Sequence, residues 1–229
     1  MEKITVKELV KFRNKGSQKS KRSFALKLKT RKPKERKEEE KSGGNYWSIS
    51  NSTIYNTFKY GKDEYYDKKI EDVLERYKNT DSKKDKDMYQ RNLDILRSFK
   101  EFDILNLRPP NINKFETIHK SIKIITIQGL PIYLNPDLVF NFEHEENKFI
   151  GALLLVPKLH GFTKADLGIF CEVLYSFLTK HYSNDFKISK EYCIAIDTFN
   201  ASKISYLDIT IEKKPSLLNA TLLEIKNLI

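Results

Sequence analysis

Apolar positions change period several times along this chain, and each change marks an element. Thr5-Val6-Lys7-Glu8 reads as a capping box that opens a short helix through Phe12. Phe24-Ala25-Leu26-Lys27-Leu28-Lys29 alternates apolar and charged residues, as a short half-buried strand does. Ser52 or Thr53 caps a short helix carrying Ile54, Tyr55 and Phe58. Ile70, Val73, Leu74 and Tyr77 share one helical face, and Met88, Tyr89, Leu93, Leu96 and Phe99 form a second stripe, with Asp81 and Asp85 as caps between them. Pro109-Pro110 then forbids a helix.

Beyond that boundary the period is that of a sheet. Ile122–Ile127, Ile132–Leu134 and Leu138–Phe140 read as strands, and Gly129 with Pro131 marks a bend. His144–Asn147 is a charged turn, and the nearly unbroken apolar run Phe149–Val156 suits a strand covered on both faces. A helix capped by Thr163 buries Leu167, Phe170, Val173, Leu174, Phe177 and Leu178. Tyr192–Ile196 and Ile204–Ile211 are strands, and Leu217–Ile229 closes the chain as a helix. The expected fold class is α/β: a three-layer mixed sheet with flanking helices.

Charge divides the chain in two. Residues 1–44 hold 16 of the 42 Lys and Arg residues but only 6 of the 31 Asp and Glu residues, so nearly all of the net +11 lies there. Arg31–Lys41 is almost all charge and Ser42-Gly43-Gly44 breaks it, which makes 30–44 a linker. The expected organisation is a basic N-terminal arm and linker (1–44) ahead of an α/β domain (45–229). Such a cationic segment draws a polyanion. Lys19, Lys21, Arg22, Lys27, Lys29, Arg31, Lys32 and Lys34 are candidate phosphate contacts, and Trp47 is a candidate stacking surface for an unpaired base. The more ordinary role for Trp47 is a docking aromatic.

Other chemistries find little footing. The four histidines do not pair at ligand spacing with one another or with the two cysteines, and the eight glycines form no phosphate-loop fingerprint. Cys171 and Cys193 sit among apolar residues as core thiols, in keeping with a reducing compartment. No apolar run spans a membrane and none reads as a signal peptide, so the cytoplasm is the expected location and a membrane partner is not expected.

One constellation carries candidate catalytic chemistry. Pro136-Asp137 opens a strand, and Lys158 follows the buried strand that ends in Val156-Pro157. If a hairpin through His144–Asn147 brings them together, the carboxylate could hold a metal ion and the lysine could steer an attacking water at a phosphodiester. Over roughly residues 65–200 this order resembles the PD-(D/E)xK nuclease superfamily, notably its RecB-like branch: a leading helix pair, three strands, a helix and a further strand. The resemblance implies Asp137 as metal ligand and Lys158 as catalytic lysine, with Mg²⁺ as cofactor of an active enzyme. It also implies DNA or RNA as partner, in bacterial DNA processing or defence. The family's second acid falls on Val156, which cannot hold a metal. Three readings follow: the site is inactive, Glu172 on the next helix supplies the missing acid, or the pattern is a coincidence of common residues. The functional expectation is a nucleic-acid-binding protein on a degenerate nuclease-like core. The alternatives are a protein-interaction subunit whose arm folds onto a partner, and an active Mg²⁺-dependent nuclease with a rearranged site.

Overall fold

A computed structural model describes residues 1–32, 46–212 and 215–229. The elements in chain order are β1 (Ile4–Thr5), α1 (Val6–Arg13), α2 (Gln18–Thr30), α3 (Ser48–Tyr60), α4 (Glu64–Lys78), α5 (Lys83–Phe102), β2 (Ile112–Phe115), β3 (Ile124–Ile127), β4 (Leu130–Tyr133), β5 (Leu138–His144), β6 (Asn147–Val156), α6 (Lys164–Tyr182), β7 (Lys187–Asp197), β8 (Ser202–Ser205), α7 (Tyr206–Ile211) and α8 (Leu217–Leu228).

The main sheet runs β2-β5-β6-β7-β8, and a small one runs β1-β4-β3. β5 and β6 form a hairpin in register from Leu138 opposite Leu153 to His144 opposite Asn147. Its two-residue turn places Glu145 and Glu146 at φ 47° and 61°. Two consecutive left-handed residues match the twist of the strands they join. β6 and β7 are parallel, with α6 as the crossover, so the sheet is mixed.

Strand alternation sends side chains into two cores. Ile150, Ala152, Leu154 and Val156 of β6 join Val139, Cys193 and Ala195 in a core closed by α1, α2, α6, α8 and the small sheet. Leu153 and Leu155 join Phe140, Phe142, Ile194 and Ile196 in a second core, under α3 and α5. Coverage on both faces explains the unbroken apolar run of β6. Cys171 and Cys193 are buried free thiols, as their surroundings suggested.

Residues 1–32, expected as an arm ahead of the core, form part of it. β1 pairs in parallel with β4. Ile4, Leu9, Val10 and Phe12 of this segment are buried, as are Ala25 and Leu28. The capping box of α1 is as the sequence reads: the Glu8 N–H donates to Thr5 Oγ1 at 3.3 Å, and the Thr5 N–H donates to Glu8 Oε2 at 2.8 Å. Most of the expected linker, residues 33–44, lies outside the described residues, as does Lys34.

The strand expected at Phe24–Lys29 is instead part of α2. Ala25 and Leu28 are three apart and so share a helical face as readily as Phe24, Leu26 and Leu28 share a strand face, and Ser17 caps the helix by accepting from the Ser20 N–H at 3.2 Å. The strand expected over Ile204–Ile211 stops at Ser205, where Ser205 and Asp208 form a reciprocal cap that starts α7. α3 begins at Ser48, ahead of the expected Ser52 or Thr53, and Ser82 rather than Asp81 or Asp85 caps α5. Among the described residues no helix is long and apolar enough to cross a membrane.

Candidate nucleic-acid interface

Because β6 and β7 are parallel, both carboxyl ends open on one side of the sheet, where α/β proteins form their crevices. Asp137 reaches the same edge because β5 runs antiparallel to β6. Its N–H donates to the Leu153 carbonyl at 3.0 Å, and its Oδ2 accepts from the Leu155 N–H at 2.7 Å. Asp197, fully buried at the end of β7, ties the two edge loops together. It accepts from the Phe162 N–H (2.7 Å), the Phe199 N–H (3.0 Å), and the Asn200 N–H (3.4 Å) and Nδ2 (3.0 Å). Gly161 allows this closeness: at φ 67°, a Cβ there would lie 1.8 Å from Asn200 Nδ2.

α1 lies along this edge. Lys7 Nζ donates to the Pro157 carbonyl at 3.2 Å. Lys7 and Lys11 lie on α1 away from the face that buries Leu9 and Phe12, and Lys15 follows just past the end of the helix, so the three recur every four residues. With Lys158 and Phe162 they line a cleft of about 400 Å³. Lys15 also lines a second cleft of about 410 Å³ with Lys19, Lys27, Phe24 and three serines. Six lysines thus line two adjoining clefts with no acidic side chain among the lining residues.

Asp137 is half-buried, and burial pushes its pKa up to about 6, against the pull of the hydrogen bond from Leu155 and the charge of Lys7. Burial of its ammonium end lowers the Lys7 pKa, and Asp137 partly offsets this. An aspartate whose folded pKa exceeds its unfolded value, about 3.9, favours the fold when protonated. That stability is present below pH ~4 and is lost as pH rises through about 6. Asp137→Asn keeps an acceptor for the Leu155 N–H and removes the charge. It is expected to raise stability at pH 7.5 by about 1–3 kcal/mol, and to have little effect near pH 4. Urea unfolding at both pH values checks this; a variant less stable at pH 7.5 would contradict it.

The structure brings Asp137 and Lys158 to one sheet edge, but Lys7 is the cation that acts on Asp137, while the exposed Lys158 places its Nζ 4.7 Å from the centroid of the Phe162 ring. Val156 is buried in the core. The Glu172 carboxylate is committed elsewhere: it accepts from Ser216 Oγ (2.6 Å) and from the N–H groups of Leu217 (3.1 Å) and Leu218 (2.9 Å), capping α8. The donor set around Asp137 does not fit Mg²⁺. One carboxylate oxygen is held by a backbone N–H, the end of β6 beside it, Leu153–Val156, is wholly aliphatic, and the charged group that acts on it is the Lys7 ammonium rather than a second acid. Among the described residues no three His, Cys, Asp or Glu side chains gather to hold a metal ion.

The basic candidates divide. Lys19 and Lys27 line the second cleft, and Arg22 and Lys32 are exposed. Lys21 pairs with Glu224 at 2.8 Å and Arg31 with Glu8 at 2.5 Å, while Lys29 donates to the main-chain oxygen of Ile229. Trp47 packs edge-on against Phe199, at 6.2 Å between ring centroids, as a docking aromatic does. Sequence reasoning passed over Lys7, Lys11 and Lys15, although their four-residue spacing was a readable signal. In the comparisons with known proteins, no family model, curated protein or solved structure matches this chain.

Proposed function

We propose that this protein binds nucleic acid through the lysine-lined clefts of α1 and α2, on a core of the PD-(D/E)xK kind that has lost its metal-holding acid. The observation that carries the reading is the run of six lysines, Lys158, Lys7, Lys11, Lys15, Lys19 and Lys27, along two joined clefts without an opposing carboxylate in their lining. A surface of one sign over that length fits a phosphate backbone, and releasing the counterions of the backbone drives binding. The nuclease-like part of the reading rests on the β5–β6 hairpin, the α6 crossover to a parallel β7, and Asp137 at the shared edge. Aliphatic side chains where a second acid would stand favour a binding role over hydrolysis.

Titrating a labelled 20-nucleotide strand at 50 and 200 mM salt tests the proposal by fluorescence anisotropy. On a single strand, six phosphate contacts are expected to lose on the order of 300-fold in affinity between the two conditions. No binding at 50 mM would remove the reading. Mg²⁺-dependent cleavage abolished by Asp137→Ala would replace it with an active nuclease.

A further inference from the structure

The lysine surface has a second regularity that charge alone does not need. Each cleft contains one half-buried phenyl ring with an ammonium over it. Lys158 Nζ lies 4.7 Å from the centroid of Phe162, and Lys15 Nζ lies 5.6 Å from that of Phe24. Each ring is also backed from the core by a second, fully or almost fully buried ring: Phe162 by Phe170 at 5.1 Å, and Phe24 by Phe12 at 6.4 Å. Rings held from behind and reachable from a cleft are stacking platforms whose ordering cost has already been met in folding. Lys7 and Lys11 line the Phe162 cleft one helical turn apart, about 6 Å along the axis of α1. That is comparable with the step between neighbouring phosphates in an extended strand.

From this we propose that the clefts select single-stranded nucleic acid, seating one unpaired base on Phe162 and another on Phe24 while the cleft lysines, with Lys15 shared by both clefts, hold the intervening backbone. The inference rests on the nucleic-acid reading above and adds strand preference to it. A base stacked inside a duplex has no free face to offer a phenyl ring, whereas a splayed base does, and stacking tolerates any sequence. Each base displaces the lysine above its ring. That ammonium is then free to meet the phosphate entering with the base.

The test compares four ligands of equal length on the full chain: single-stranded DNA, single-stranded RNA, a DNA duplex, and a single strand of abasic sites, which keeps the phosphates without the bases. Both base-bearing strands are expected to bind at least 10-fold tighter than the abasic strand and the duplex. Phe162→Leu and Phe24→Leu keep an apolar side chain against the core, and urea unfolding confirms that both variants fold. Each is expected to weaken single-strand binding by about 5- to 100-fold, the range for one lost aromatic–base stack, and to leave abasic and duplex binding and the salt slope unchanged. Equal affinity for all four ligands, or leucine variants that bind single strands as the parent does, would overturn strand selection and leave nucleic-acid binding standing. Failure to bind any of the four at low salt would instead overturn the underlying reading.

Discussion

Replacing Asp197 by alanine is expected to lower the unfolding free energy by about 3–5 kcal/mol, a large share of what a domain of this size possesses. The carboxylate is fully buried, and each of its oxygens serves two donors: Oδ2 accepts from the Phe162 N–H and Asn200 Nδ2, and Oδ1 from the N–H groups of Phe199 and Asn200. Hydrogen bonds to a charged acceptor contribute about 1.5–3 kcal/mol each, and buried donors left without an acceptor incur a further desolvation penalty. Asp197→Asn is expected to fall short of rescue, because an amide turns one of the two acceptors into a donor that faces donors. The damage is expected to be local in form as well as large. Asp197 fixes the loop that carries Lys158 and Phe162, so their cleft is expected to lose shape before the second cleft does. Urea denaturation measures the stability, and a loss below 1 kcal/mol would mean that the loops hold themselves.

The second large effect concerns charge. Lys11→Glu, Lys15→Glu and Lys158→Glu together are expected to weaken nucleic-acid binding by on the order of 100-fold or more at low salt, and to flatten the salt dependence by about three ions. None of the three lysines forms an ion pair among the described residues, so the fold is expected to tolerate the change. The control carries the same change in net charge at the exposed Lys68, Lys83 and Lys148, on α4, α5 and β6. If binding depends on overall charge alone, the two triple variants weaken it equally. If it depends on the clefts, only the first does.

Much of the architecture was legible because the code is local. Thr5 with Glu8, and Thr163 ahead of Asp166, announce helix starts over three residues, and both caps form. The apolar run of β6 signals cover on two faces, and it has it. Phe24–Lys29 is ambiguous in sequence because six residues that alternate also satisfy a helical face, and only the packing of Ala25 and Leu28 decides between them. The basic segment reads as an arm because its charge is dense while its apolar positions are few and widely spaced. Leu9, Phe12 and Leu28 are nonetheless buried in the core.

The candidate site was legible in part. Asp137 and Lys158 do reach one sheet edge, because a hairpin turn is itself a local signal. The partner of Asp137 was out of reach: Lys7 lies 130 positions earlier, and no short-range pattern links them. Asp197 at a strand end is legible as a cap of the turn that follows, and it does accept from the Phe199 and Asn200 N–H groups, but the duty of Glu172 and the bond from Asp197 to the Phe162 loop were hidden, since both join distant segments.

The most direct measurement is a lysine footprint. Brief acetylation of the protein, free and saturated with a single strand, followed by mass spectrometry, reports each ammonium separately. Protection is expected at Lys11, Lys15, Lys19, Lys27 and Lys158, which line the two clefts, with unchanged labelling at Lys68, Lys83 and Lys148. Protection centred on those last three, or spread evenly over all eight, would contradict the assignment of the nucleic-acid interface to α1, α2 and the edge of β6.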